Sequence, residues 1–214
     1  LHAELDDLSA QRIQLRHQEL LQFLLEKVRN DLCTLIVPFF AQLGLKLRAQ
    51  ELPAESVVYF RQKDDRWRAD ALGDSRYHMA DSGCLVCCVA SALQMQHLSV
   101  EGLPADADAG QVNEFFSAHG VYDSEGNLQW EVLEQVTGLT AEERDAAALD
   151  ECLQNGDDPI VLVKMPKSGS FHFVLLVGSS DGEYQCMDPL QPEEQTVPLS
   201  YFGSQIYGMR VLHA

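Results

Sequence analysis

Hydrophobic and polar positions divide the chain into a helical first part and a strand-rich last part. In the middle of the chain, apolar residues at helical spacing predict helices over residues 111–119, 128–136 and 141–154. Beyond Asn155 the apolar residues fall into short runs that are typical of strands. These predicted strands cover residues 160–165, 171–177, 184–187, 195–199 and 206–212. Helices followed by strands predict an α+β domain with an antiparallel sheet.

Residues 77–93 read as a polar loop that runs into a helix. Asp81 and Ser82 are suitable N-cap residues, so Cys84 is predicted to lie in the first helical turn. The unpaired backbone N–H groups and the helix dipole stabilise a thiolate there. Cys84 is therefore a candidate nucleophile.

Two later stretches supply partners for a thiolate. His172 stands at the start of the apolar strand 171–177, and Asp188 ends the next predicted strand. Turn composition over residues 178–182 predicts that the two strands form a hairpin, which would bring Asp188 beside His172. A histidine in a strand is more often structural, but with Cys84 these residues match a nucleophile, a base and an orienting carboxylate.

The order of these motifs resembles a known family. Gly83-Cys84 at a helix start is followed by His172-Phe-Val-Leu before a glycine turn, and then by Asp188-Pro. This order resembles the papain-like cysteine peptidases that process bacteriocin leaders, and their stand-alone relatives. The resemblance covers roughly residues 57–214.

The resemblance implies a papain-like domain over residues 57–214 of a bacterial protein. In that fold a helical half carrying Cys84 packs on an antiparallel β-sheet that carries His172 and Asp188. The leader peptidases also have a glutamine shortly before the cysteine, which helps to hold the oxyanion. Positions 77–79 contain no glutamine. His78 is the candidate oxyanion donor in its place, although it also suits a surface loop.

Two functions are compatible with these residues. The first is a cysteine hydrolase, most simply a peptidase, that cleaves peptide or amide bonds of a peptide or protein substrate through an acyl-enzyme. Deamidation, transamidation and cleavage of cell-wall amides use the same apparatus. The alternative is a catalytically weak or inactive papain-like domain that binds peptides or partner proteins.

Composition narrows the choice of partners. Acidic residues outnumber basic ones by 33 to 15, which gives a formal charge of −18 and argues against nucleic-acid binding. The charge is expected to favour cationic substrates, unless it serves solubility alone. The six cysteines do not form a disulfide framework, and Cys84-Leu-Val-Cys87 has no second pair to complete a zinc site. No metal or other cofactor is expected, and Cys87 and Cys88 are predicted to be buried.

Residues 1–50 are predicted to be a separate helical, coiled-coil-like extension, joined by a linker over residues 51–56. Apolar residues three and four apart form its stripe: Leu21, Leu25, Val28, Leu32 and Leu35. The stripe packs on the catalytic domain or mediates self-association or partner binding, and we expect residues 1–50 to be dispensable for the catalytic fold. No membrane span is expected, because the apolar run from Leu35 is too short. The start of the chain lacks signal-peptide order, and both a cytoplasmic and an exported location remain open.

Overall fold

A computed structural model describes residues 57–180 and 182–214. The predicted extension over residues 1–50 and the linker over residues 51–56 lie outside the described residues. The described helices are α1 (Met79–Ser82), α2 (Cys84–Met95), α3 (Ala109–Ala118), α4 (Trp130–Thr137) and α5 (Leu149–Asn155). The described strands are β1 (Thr140–Glu143), β2 (Ile160–Lys164), β3 (Phe171–Ser180), β4 (Glu183–Met187), β5 (Val197–Pro198) and β6 (Gly208–His213).

The strands form one six-stranded antiparallel sheet in the order β1-β6-β2-β3-β4-β5. The predicted α+β class and antiparallel sheet are thereby confirmed. β3 and β4 form the predicted hairpin, with Ser180 opposite Glu183 and a bulge between Leu176 and Gly178. The sheet therefore brings the chain that follows β4 back towards the start of β3.

Alternating side chains of β3 bury both faces of the sheet. Leu175 and Val177 pack with α2 and the other helices on one face, whereas Val174 and Leu176 pack with α5 on the other. α2 is the central helix of the first cluster, because residues 85–93 are all buried. Cys87 and Cys88 are among them, as predicted. Within the described residues no helix is both long enough and apolar enough to cross a membrane.

The predicted helix over residues 141–154 is wrong in its first part. The chain instead forms β1, a short 3₁₀ helix over Ala146–Ala148 and then α5. β1 pairs with β6, and Arg210 of β6 donates to the backbone oxygen of Ala141 at 2.8 Å and to Glu143 at 3.1 Å. Pairing with the edge of the sheet outweighs the helix propensity of the Ala- and Glu-rich sequence, which is a weak preference.

The predicted helix cap is also wrong. Asp81 and Ser82 lie inside α1, and Gly83 occupies the N-cap position of α2 without any side-chain hydrogen bond. The predicted strand over residues 195–199 is shortened to β5, because the chain turns into a 3₁₀ helix at Leu199.

Candidate active site

The candidate nucleophile lies at a tight junction between two helices. A Cβ atom on Gly83 would come within 2.6 Å of the backbone oxygen and 2.9 Å of the Cα atom of Met79. Only glycine fits there without moving the backbone, and Met79 is itself completely buried. Cys84 is thus the first residue of the 12-residue helix α2 and is half-buried, next to the unpaired N–H groups of the helix start.

The structure brings His172 and Asp188 together at the open end of the β3–β4 hairpin. His172 Nε2 lies 2.7 Å from Asp188 Oδ1, and both side chains are buried. The same carboxylate oxygen accepts a hydrogen bond from the backbone N–H of Leu190 at 2.8 Å. Because Nε2 faces Asp188, Nδ1 is the ring nitrogen that remains for Cys84.

The pKa of His172 reflects both neighbours. Burial of the ring disfavours the imidazolium, but the hydrogen bond to Asp188, together with the nearby Cys84, more than offsets this and raises the pKa of His172 to about 9. The protonated ring therefore persists well above the usual range of histidine. A ring that keeps its proton at this position can act as an acid towards a group bound at Cys84.

These residues meet at a cleft of about 1110 Å³ that is lined by Cys84 and His172. His78, the candidate oxyanion donor, is not among the residues that line it. Its backbone bridges to Ala71 and begins α1, and its half-exposed side chain faces Asp81, with 3.8 Å between Nδ1 and Oδ2. Asp81 itself lines the cleft, so His78 lies beside the lining of the cleft and is not part of it.

A glutamine does line the cleft, although sequence reasoning did not find it. Gln62 is only 3% exposed. Its backbone N–H donates to the oxygen of Pro189 at 3.0 Å, and its Nε2 donates to the oxygen of Ala80 at 2.9 Å. Gln62 is thereby tied both to the segment after Asp188 and to the helix before Cys84.

The loop that carries Gln62 is held by the neighbouring aromatic residues. The indole Nε1 of Trp67 donates to the backbone oxygen of Arg61 at 2.8 Å, and its ring packs edge-on against Phe60. One sequence signal was therefore present: a glutamine between an apolar run and a tryptophan. The papain-like pattern instead has its glutamine shortly before the cysteine, whereas Gln62 lies further from Cys84 along the chain.

The amide of Gln62 has donor capacity to spare. Nε2 carries two N–H groups, and Ala80 takes one of them. Its Oε1 is buried and accepts no hydrogen bond from the described residues. The second N–H of Nε2 therefore has no hydrogen-bond partner among the described residues.

Comparisons of the chain with protein-family models, curated proteins and solved structures returned no match. The chemistry open to the cleft follows from its residues: a thiol at a helix start, a buried histidine and carboxylate, and an amide donor. In the part of the chain that the structure describes, no group of three or more His, Cys, Asp or Glu side chains is arranged to hold a metal ion.

Proposed function

We propose that this chain is a papain-like cysteine hydrolase that cleaves peptide or amide bonds through an acyl-enzyme on Cys84. The observation that carries the proposal is the position of His172, which is bound to Asp188 at 2.7 Å and raised in pKa to about 9 by its contacts with Asp188 and Cys84. A histidine that holds its proton beside a cysteine is placed to protonate a leaving amine, which is the role of the base in a Cys–His pair.

The reaction follows from these groups. The Cys84 thiolate attacks the carbonyl carbon, and Nδ1–H of His172 gives its proton to the leaving amine as the C–N bond breaks. Water then attacks the thioester while His172 takes a proton from it, and the thiolate leaves as the acid product forms. Asp188 holds the ring and stabilises its positive charge throughout.

Gln62 is proposed as the side-chain donor to the oxyanion, together with the backbone N–H of Cys84. Its spare N–H supports this role, since a preorganised donor is most effective where negative charge develops on the carbonyl oxygen. The alternative of an inactive peptide-binding domain rested on the missing glutamine before Cys84. Because Gln62 lines the cleft, that argument no longer favours the binding domain over the hydrolase.

The proposal is tested by labelling and by cleavage. At neutral pH iodoacetamide should modify Cys84 much faster than Cys152, a buried thiol whose pKa is raised by burial. Wild-type protein incubated with a proteome-derived peptide library should create new termini that mass spectrometry detects, and Cys84→Ala should create none. Equal labelling of the two cysteines, or the same new termini with Cys84→Ala, would contradict the proposal.

A further inference from the structure

Exposed aromatic side chains gather next to the proposed catalytic histidine. The structure describes three large hydrophobic side chains that are exposed: Phe171 at 59%, Tyr201 at 48% and Tyr207 at 38%. Phe171 immediately precedes His172 and lines the cleft, and its ring meets that of Tyr207 edge-on at 5.2 Å between centroids. An exposed apolar surface thus begins at His172 and continues out of the cleft. Such surfaces commonly bind ligands.

A lysine amine is held over both rings of this surface. Lys164 lies opposite Phe171 in the β2–β3 pairing, and its Nζ is 5.0 Å from the Phe171 centroid and 4.6 Å from the Tyr207 centroid. Cation–π contacts of this kind fix the amine in place but leave its N–H groups able to bind an anion. The result is a positive charge at the edge of an apolar wall.

Lys164 differs from the arginines in having no ion pair with a carboxylate among the described residues. Each arginine of residues 57–180 and 182–214 forms an ion pair with a carboxylate. No carboxylate in the same ranges is ion-paired with Lys164. The charge of Lys164 is therefore not neutralised within the described structure.

The cleft contributes a second aromatic wall. Trp130 is half-buried and lines the cleft, with the Arg210 guanidinium 5.1 Å above its ring. Arg210 is itself fixed by Ala141 and Glu143. Phe173 also lines the cleft and packs against the helical core. These rings are held before any ligand arrives, which reduces the entropy lost on binding.

We infer that Phe171, Tyr207, Trp130 and Lys164 form the subsite that selects the substrate, and that it accepts a peptide in which an aromatic or large aliphatic residue adjoins Asp or Glu. The inference rests on the proposed function, because it assigns a substrate to that cleft. The apolar side chain packs on the rings, and the neighbouring carboxylate binds the Lys164 amine. A peptide with lysine in place of the acidic residue would meet a like charge there.

Binding to Cys84→Ala tests this without requiring turnover. We would titrate this variant with acetyl-Gly-Phe-Glu-Gly-amide by NMR and compare peptides in which Glu is replaced by Gln or Lys, or Phe by Ala. The Phe-Glu peptide should bind about tenfold more tightly than its Gln or Ala analogue, and the Lys analogue should bind most weakly. A preference for the Lys analogue, equal affinities, or no binding of any of the four peptides would overturn the inference.

Second-site variants assign the selectivity to residues. Lys164→Met should remove the preference for Glu over Gln, and Phe171→Ala should remove the preference for Phe over Ala. Two control variants match these changes. Lys167→Met is the control for Lys164→Met, because it removes a positive charge from the neighbouring turn. Tyr201→Ala is the control for Phe171→Ala, because it removes an exposed aromatic ring outside the cleft. Both controls should keep the selectivity, and a control that loses as much as its test variant would also overturn the inference.

Failure of this inference is distinguishable from failure of the proposed function. Fast labelling and cleavage that depend on Cys84, combined with no peptide selectivity, would leave the hydrolase standing and remove only the subsite. Selective peptide binding without labelling or cleavage at Cys84 would leave the subsite standing and remove the hydrolase.

Discussion

Gln62 is a residue whose role depends on the fold around it. A buried amide oxygen without a partner costs about 1–3 kcal/mol, and Gln62 carries one while its Nε2 bonds only Ala80. The proposed oxyanion role uses the other end of the amide, where Nε2 donates one N–H to Ala80 and its second N–H is proposed to stabilise the transition state.

Gln62→Ala should therefore lower kcat about 10²- to 10³-fold. It should leave the rate of iodoacetamide labelling of Cys84 nearly unchanged, because alkylation forms no oxyanion. Steady-state kinetics and labelling on the same preparations measure the two effects. His78→Ala is the matched control and should keep kcat within about twofold, since His78 lies outside the cleft. A large loss of kcat in His78→Ala and a small one in Gln62→Ala would identify His78, and not Gln62, as the oxyanion donor.

The charge state of His172 sets the pH range of the site. Its raised pKa means that the imidazolium is fully formed below about pH 6.5, the ordinary histidine value, and is lost as the pH rises through about 9. The stability that its contacts contribute follows the same window. Hydrolysis should decline above about pH 9, because His172 then lacks the proton that it gives to the leaving amine in the proposed reaction.

Asp188→Asn should lower the pKa of His172 towards its ordinary value of about 6.5, because it removes the nearest carboxylate. NMR titration of the ring protons measures the shift directly. The difference in unfolding free energy between wild type and Asp188→Asn should be largest near pH 6 and smaller near pH 10. An unchanged titration midpoint in the variant would show that Asp188 does not hold the proton on His172.

Local signals in the sequence were sufficient to propose Cys84, His172 and Asp188. Each stands beside a glycine, an apolar strand or a proline that fixes its place in an element. The local signal for Gln62, a glutamine between an apolar run and Trp67, is weaker, because Gln62 reaches the cleft through hydrogen bonds to Pro189 and Ala80, which are distant in sequence. Contacts of that kind are visible only in the folded chain.

At the scale of elements, the α1–α2 junction positions Cys84, the proposed nucleophile. Its short helix α1 ends against Gly83, whose Cβ position is filled by backbone atoms of Met79. Any side chain there must push the two helices apart. The start of α2, and Cys84 with it, would then move relative to β3.

Gly83→Ala should consequently slow the labelling of Cys84 and abolish cleavage, besides lowering stability. Gly138→Ala is the control: this glycine caps α4 with a φ of +71° and has open space around its Cβ position. That variant should lose about 1 kcal/mol of stability through backbone strain alone. Labelling rates and urea unfolding distinguish the two effects, and normal labelling of Gly83→Ala would show that the junction does not position Cys84.

The predicted elements succeeded where burial pattern and turn residues agreed. Strands β2, β3 and β6 are apolar runs with clear boundaries, and the sheet that they form is antiparallel as expected. The sequence of β1 instead has helix-forming residues, and its strand depends on the free edge of β6. The sequence does mark the start of the 3₁₀ helix that follows β1, because aspartate is a common N-cap residue. In the structure the side chain of Asp145 accepts a hydrogen bond from the backbone N–H of Ala147 at 2.8 Å.

At the scale of the whole molecule, the charge near the cleft differs from the charge of the chain. The chain carries a formal charge of −18. The charged residues that line the cleft are balanced, with two basic side chains, Lys63 and Arg68, and two acidic ones, Asp81 and Glu125. Long-range forces and contacts within the cleft therefore act differently on a charged peptide.

Salt should separate these two effects. The net charge repels an acidic peptide and attracts a basic one at long range, and the Debye length shrinks from about 30 Å at 0.01 M salt to about 8 Å at 0.15 M. We therefore expect added salt to speed the association of acetyl-Gly-Phe-Glu-Gly-amide and to slow that of its Lys analogue. The Glu peptide should still dissociate more slowly at both ionic strengths, because the proposed subsite places its carboxylate on Lys164.

Stopped-flow measurements of tryptophan fluorescence on Cys84→Ala can follow both steps, since Trp130 lines the cleft. The neutral Gln analogue is the control and should associate at a rate independent of salt. Association rates that ignore salt for all three peptides would mean that the acidic surface serves solubility and does not steer substrates. Faster association of the Lys analogue at low salt, with slower dissociation of the Glu peptide, would show that the surface and the subsite favour opposite charges.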